Sequence, residues 1–502
     1  MIKASDLRRF AREGARVLAA ESDLAEFELY CSSAEQFVMR INYTSEIPCN
    51  GVEEGKSLAA DGFALRIVPR GNPHEIGIGI SAGEIGLEPL RAALAQARQT
   101  IVADPDFAGL PARPRTYAAP PRAAAGLMNI EGSDLVSAAW RIVDGAVGVL
   151  DNSAGVPPGV VIGGDLTVTR DRMALASSHF DDVRVDESAT FSSSVTALIE
   201  TLDAKGTASA LGQSIAQMRA SVPMLGRRAV EGALGLGGGE RPPAGNYRIV
   251  FGPQPVAEIL CYMVVPSLTT GAFHAASSAY HGRFGDAVMD RRLTLIDDPQ
   301  WKFGAINRRI TCEGLPARRS ELIRGGHLVG LMSTVYDSHR MATDEHRGEK
   351  LGARAPANPR FPAHSGYRLG EGGSRRYDST PGAAPTNVIM RASGGVSEKK
   401  LIEAVGDGIY VGRVWYTYPI NGQRAGDFTC TISGDSYLIR DGRLAGAIAP
   451  NCLRINANLK NVFDAPIACG RSISPALVWG SPEAFYVPPI AVASISLSRV
   501  GE

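Results

Sequence analysis

The 502-residue chain balances 52 Lys plus Arg against 52 Asp plus Glu, which excludes the strong basic field that nucleic acids or anionic membranes select. Hydrophobic residues at 44% and charged residues at 21% are the profile of a globular protein long enough for more than one core. No run approaches the roughly 20 apolar residues that span a bilayer, so a cytoplasmic protein without membrane contact is expected.

The opening segment places Leu7, Phe10, Val17 and Leu18 on one helical face, with Ser5 or Asp6 as cap. Arg8, Arg9, Arg12, Glu13 and Arg16 interrupt any signal-peptide core. Apolar alternating runs at 26–30, 36–43 and 62–69 read as strands of an antiparallel sheet, followed by a helix over 90–103. Residues 104–122 are Pro-rich and read as a surface connection. A helix over 133–150 precedes strands at 160–168, 173–178 and 183–199, where Val195, Ala197 and Ile199 alternate with Thr196 and Glu200 as in a sheet with one wet face. Leu211, Ile215, Met218 and Val222 predict a helix starting near Ala210, ended or kinked by Pro223.

The Gly- and Pro-rich segment 237–245 can sustain neither period and reads as a linker between a domain over 1–236 and a domain over 246–502. Beyond it, strand signals recur to the end, with Ser433-Gly434-Asp435 and Arg440-Asp441-Gly442 suited to tight hairpin turns. The fold class is therefore α+β: an N-terminal mixed α/β domain with an antiparallel sheet, then a β-rich domain built as a curved antiparallel sheet or open barrel. Residues 338–382 form a long polar stretch rich in arginine, including Arg340, Arg347, Arg354, Arg360, Arg368, Arg375 and Arg376. A stretch of that length is either a functional or a solvated loop.

The residues themselves offer little chemistry. There is no phosphate-binding GxxxxGK[ST] and no GxSxG elbow. The glycines of 232–240 follow no strand and precede Pro242 and Pro243, so a linker explains them better than a dinucleotide site. The pairs His274 with His281 and His339 with His346 are seven residues apart, about 10 Å of helical rise, too far for one zinc ion. No CxxC occurs, and Cys31, Cys49, Cys261, Cys312, Cys430, Cys452 and Cys469 are odd in number and scattered, as buried thiols are. The carboxylate pairs Asp181 with Asp182, Asp297 with Asp298 and Asp344 with Glu345 sit in polar, turn-like settings.

The order of four landmarks says more. Pro385-Thr386-Asn387, then the helix and turn over 403–412, then Gly426-Asp427-Phe428-Thr429, then Asn458-Leu459-Lys460 together resemble the C-terminal domain of the TldD/PmbA family of metallopeptidase-like proteins. The segments 61–71, 104–111 and 251–260 extend the resemblance upstream. That family pairs two related chains. One bears HExxxH on a helix directly after a segment equivalent to Phe251-Gly252-Pro253-Gln254-Pro255, and a late cysteine completes its zinc site. Here the helix Val256–Val265 has no histidine and residues 479–485 hold no cysteine, as in the zinc-less TldE or PmbA type.

The resemblance implies a subunit with no catalytic residue and no metal of its own, in a heterodimer with a TldD-type partner that carries the zinc. It implies a peptide or small amino-acid-derived substrate, specialised-metabolite intermediates among them. Thr386, Asn387, Asp427, Thr429 and His274 are candidates to face a shared chamber or the partner, with turn and hairpin hydrogen bonding as the structural alternative for the first four. Arg375 and Arg376 are candidates to grip substrate or partner as carboxylate-binding forks. Two readings compete: an enzyme in its own right acting through Cys261, His274, His281 or the arginine-rich stretch, and a binding or assembly protein.

Overall fold

Amphipathic spacing decides the first element. α1 (Ala4–Ala19) turns Leu7, Phe10, Ala11, Gly14 and Leu18 to one buried side. A computed structural model of the protein describes residues 1–45, 47, 50–112, 126–153 and 159–501. In it the cap position of α1 is Lys3, with no side-chain cap bond, so Ser5 and Asp6 lie inside the first turn rather than capping it. Asp6 there complements the helix dipole and pairs with Arg9 at 3.1 Å.

The runs at 26–30 and 36–43 are a single strand, β1 (Leu24–Thr44), because the residues between them keep ladder partners on both sides. β2 (Gly51–Val52), β3 (Lys56–Pro69), β4 (Glu75–Ala82), β5 (Val102–Ala103), β6 (Val160–Ser177), β7 (Arg184–Ile199) and β8 (Ala204–Gly212) join it. Among the described residues the order is β5-β4-β3-β1-β6-β7-β8, with β2 beside β1 and every pairing antiparallel. α2 (Leu87–Gln99) stops short of the expected end at Ala103, which belongs to β5. Of the Pro-rich connection, residues 113–122 lie outside the described residues.

α3 (Gly132–Asn152) and α5 (Pro223–Gly235) cover one face of the sheet beside α1 and α2. They cross closely: a Cβ on Gly226 would stand 1.9 Å from the Ile142 carbonyl oxygen. The helix expected from Ala210 begins later. Leu211 lies in β8 and pairs with Ser192 of β7, Ser214 caps α4 (Ile215–Ser221), and the apolar spacing merely coincides across the boundary. Pro223 opens α5 in its first turn, where its missing N–H costs nothing.

β7 shows why this sheet has two characters. Phe191, Val195, Ala197 and Ile199 sink under the helices. Thr190, Ser192, Ser194 and Thr196 point the other way, toward the second half of the chain. The polar face of the alternation thus becomes one wall of an internal cleft.

The second half begins with β9 (Gly245–Phe251), which lies inside a nine-stranded sheet that curls into a half-barrel. Its path runs 413–419, 427–434, 453–458, 490–499, β9, 408–411, 437–440 and 443–447. A six-stranded sheet packs beside it, and its path ends at the strands 484–487 and 474–476. One large apolar cluster, from Ile249 to Leu497, fills the space between. The Gly/Pro segment 237–245 is tied to this half: Glu240 N–H donates to the Ala447 carbonyl at 2.8 Å, and Ala449 N–H donates back to Glu240 at 2.9 Å.

The polar stretch 338–382 holds helical turns at Val335–Thr343 and Arg347–Leu351 and a small ladder of 366–367 against 382–383. Among the described residues, no helix is long and apolar enough to cross a membrane. Six cysteines are buried free thiols, and Cys49 lies outside the described residues.

Candidate functional site

α6 (Pro253–Ile259) starts directly after β9, with Gly252 at its cap and Pro253 and Pro255 in the first turn. It continues as a π-turn over Leu260–Val264. Such widened turns re-aim side chains and concentrate at functional sites. Glu258 is an ionisable residue on this otherwise largely apolar segment, and it faces the cleft at only 6% exposure.

The cleft lies between the polar face of the N-terminal sheet and the edge strand 413–419 of the half-barrel. One cavity of about 520 Å³ is lined by Ser194, Lys205, Glu258, Tyr262, Trp415 and Trp479, among others. A second, of about 480 Å³, runs on from it along Thr167, Ser192 and residues 477–484, sharing Ser194, Leu477 and Trp479. Two other hollows, of about 600 and 810 Å³, lie beside α1 and beside the Gly/Pro segment, away from this helix. The cleft is the candidate site because it combines enclosure with a buried carboxyl.

Gln254 Nε2 donates to Glu258 Oε2 at 2.7 Å and to the Val414 carbonyl at 3.2 Å, while its Oε1 accepts from Val414 N–H at 2.9 Å. One amide thus clips the edge strand and fixes the carboxyl. Among the described residues, Glu258 Oε1 has only a long contact from the Thr417 hydroxyl, at 3.4 Å. Burial pushes the Glu258 carboxyl up to about 7, against the pull of Arg413 and these hydrogen bonds. Burial, with Arg413 nearby, pulls the Lys205 ammonium below its ordinary range, and its Nζ sits 4.7 Å from the Trp415 ring centroid.

The edge strand is irregular where it borders the cavity. Pairing with 427–434 breaks between Trp415 and Tyr418, and Tyr416 takes a left-handed φ of 55°. The bulge leaves Trp415, Tyr416 and Tyr418 exposed around the mouth, with Trp479, itself 81% exposed, lining the same cavity. Tyr262 hydroxyl donates to the Trp479 carbonyl at 3.2 Å, which ties the π-turn to the far wall.

The residues singled out from sequence stand elsewhere, and none of the seven lines either cavity. Thr386 is buried and gives both its N–H and its hydroxyl to Asp297 Oδ1, at 2.7 and 2.8 Å. Asn387 is buried and closes the 298–306 loop: Nδ2 donates to the Asp298 and Ile306 carbonyls, and Oδ1 accepts from Ile306 N–H. Asp427 accepts from Asn421 and Asn458, and the Thr429 hydroxyl donates to the Ile455 carbonyl within the sheet.

Arg375 is fully buried between Asp171 and Asp186, where no substrate reaches it, and Arg376 pairs with Asp378 at 2.6 Å. His274 faces Asp344 at 3.3 Å, while His281 lies 3.4 Å from Arg424. The candidate residue that the sequence alone does not single out is Glu258. Its signal is a lone carboxylate on an otherwise largely apolar helix.

A family model of the PmbA/TldA metallopeptidase C-terminal domain matches residues 244–499, just over half of the chain. The chain belongs to the TldD/PmbA family. Its fold is that of TldE from Thermococcus kodakarensis, with a TM-score of 0.76 at 16% identity over 99% of this chain and 100% of that one. A Thermotoga maritima protein described as a candidate modulator of a DNA gyrase superposes with a TM-score of 0.72 at 12% identity, over 98% and 99% of the two chains. In sequence the chain is 22% identical to an uncharacterized protein of Methanocaldococcus jannaschii over 237 residues, 46% of this chain and 49% of that one. That match spans about half the length of the curated relative.

Family membership makes the donor set on α6 the point to test. With Glu258 as its carboxylate, the HExxxH spacing of zinc-bearing TldD-type chains falls on Ala257 and Tyr262. Ala257 has no exposed surface and packs in the core, and the Tyr262 hydroxyl is spent on Trp479. Cys261 lies between them, but burial pushes its thiol far above the ordinary range. Among the described residues, no group of three His, Cys, Asp or Glu side chains is placed to hold a metal. This donor set does not fit zinc.

Proposed function

We propose that this chain is the zinc-less, non-catalytic subunit of a heterodimeric TldD/TldE-type metallopeptidase. Its cleft contributes to the wall of a chamber in which the partner's zinc site hydrolyses a peptide or a small amino-acid-derived amide. The observation that carries this reading is the helix after Phe251-Gly252-Pro253: it lines the cleft as a catalytic helix would, yet holds Ala257 and Tyr262 where HExxxH requires histidines.

A proteolytic zinc site works best with bulk water excluded and the substrate held in one pose. A second subunit supplies both by closing over the site. The internal cleft, with its polar sheet wall and aromatic rim, suits that task. The stand-alone reading draws no support from Cys261, whose thiolate burial disfavours, nor from His274 and His281, which have separate polar neighbours.

The test is co-expression with a family member that carries HExxxH. The two chains are expected to co-purify at equal stoichiometry and to separate only on denaturation. Elution of the two as independent species at all concentrations counts against the reading.

A further inference from the structure

We propose that the cavity over Glu258 is a subsite for a neutral aromatic side chain on an amide-bearing ligand. The ring seats among Trp415, Tyr418 and Trp479, and an amide N–H of the ligand donates to Glu258 Oε1. The role of this subsite in hydrolysis rests on the paired-subunit reading, whereas the binding itself is a property of this chain.

Exposed aromatic residues are unremarkable singly, but here Tyr262, Trp415, Tyr416, Tyr418 and Trp479 ring one cavity. At about 520 Å³ the cavity has the size of a small-ligand pocket. The cavity is concave and ends on a carboxyl that is more than nine-tenths buried, a depth that a flat protein surface does not reach. A buried carboxyl needs donors, and Glu258 has one short bond to Oε2 and only the 3.4 Å contact to Oε1. Gln254 cannot supply the second donor, because its amide is already held by Val414.

The charges on the walls narrow the ligand further. Lys205 and Arg413 both line the cavity, Asp435 takes the Arg413 guanidinium at 3.5 Å, and Lys205 already lies over Trp415. Two wall cations oppose an ammonium or guanidinium on the ligand, and the Glu258 carboxyl at the floor opposes a carboxylate, which leaves a neutral ring as the best fit. The left-handed Tyr416 and the bulge around it hold the rim rings outward at a conformational cost, as backbone does where a binding surface needs it.

The test is calorimetric titration of the full chain with acetyl-Ala-Phe-Ala-amide, beside the same peptide with Ala or Lys in place of Phe. Saturable binding of the Phe peptide is expected, with the Ala and Lys peptides at least about tenfold weaker. Trp479→Ala and Trp415→Ala are each expected to weaken the Phe peptide about tenfold while leaving the Tm unchanged. Equal binding of the three peptides, or no saturable binding by the chain alone and with its partner, overturns the proposal. So does a Trp479→Ala chain that binds the Phe peptide normally but no longer co-purifies with an HExxxH chain, since the rim is then the subunit interface. Failure of the paired-subunit reading looks different: the wild-type chain then binds the Phe peptide and co-purifies with no HExxxH chain.

Discussion

Arg375 Nη1 donates to Asp186 Oδ2 at 2.6 Å although 189 residues separate them in sequence. The same guanidinium reaches Asp171 through Nε at 2.7 Å, and the Arg375 backbone N–H adds a third bond at 3.0 Å. Burial opposes its charge, but the two aspartates override that and keep it protonated. The cluster pins the arginine-rich stretch to the face of β6 and β7 that walls the cleft. Arg375→Met leaves two buried carboxylates without their counter-ion, and unfolding by denaturant should show a loss of about 3–5 kcal/mol. A loss below about 1 kcal/mol would mean that water reaches the cluster.

Asn387 is predicted to act on stability rather than on chemistry. Its side chain makes three bonds to the 298–306 loop, so Asn387→Ala strands a buried N–H and two carbonyls. The expected cost is about 2–3 kcal/mol by thermal or chemical denaturation. Turnover of the assembled pair, measured well below the Tm, should stay within a few-fold of wild type. A selective loss of turnover at unchanged stability would place Asn387 in the chamber instead.

A third prediction concerns pH. Burial pushes Glu258, Asp297 and Glu313 each up to about 7. The folded chain therefore keeps protons that the unfolded chain releases near pH 4. Their contribution to stability is fully present below about pH 4 and is lost as pH rises through about 7. Asp290, held low by Arg292, has the opposite sign, but its contribution fails only below about pH 4, outside that window. Asp297→Asn keeps an oxygen to accept from Thr386 and removes one proton from the balance. The drop in Tm between about pH 5 and pH 8 should be visibly smaller in this variant, and an unchanged drop contradicts the assignment.

Close helix packing yields a fourth prediction. Gly226 on α5 faces the Ile142 carbonyl of α3 at a distance that leaves no room for a Cβ. Gly226→Ala should force the helices apart and cost about 1–3 kcal/mol in denaturant unfolding, despite the higher helix propensity of alanine. A gain in stability would show that the crossing yields easily.

The strands were legible in sequence because a half-buried sheet writes its period into residues such as Val195, Ala197 and Ile199. The place where β8 gives way to α4 was not, since Leu211 and Ile215 mimic one helical face across two elements. Membership of the family was legible from ordered landmarks around Thr386, Asp427 and Asn458. The bonds these residues make were not, because the partners of Thr386 and Asn387, Asp297 and the 298–306 loop, lie more than 80 residues upstream. Arg375 stands in the sequence as a fork for a substrate or partner carboxylate for the same reason: Asp171 and Asp186 come to it only through the tertiary fold. Glu258 stands in the sequence as a lone carboxylate on an apolar helix, and only the fold shows that it faces a cavity.

The most direct test of the account measures zinc content and amide hydrolysis for this chain alone and for its complex with an HExxxH-bearing chain. No stoichiometric zinc and no turnover are expected for the lone chain, and about one zinc with hydrolysis for the pair. A homogeneous lone chain that holds one tightly bound zinc and cleaves amide bonds unaided would contradict it.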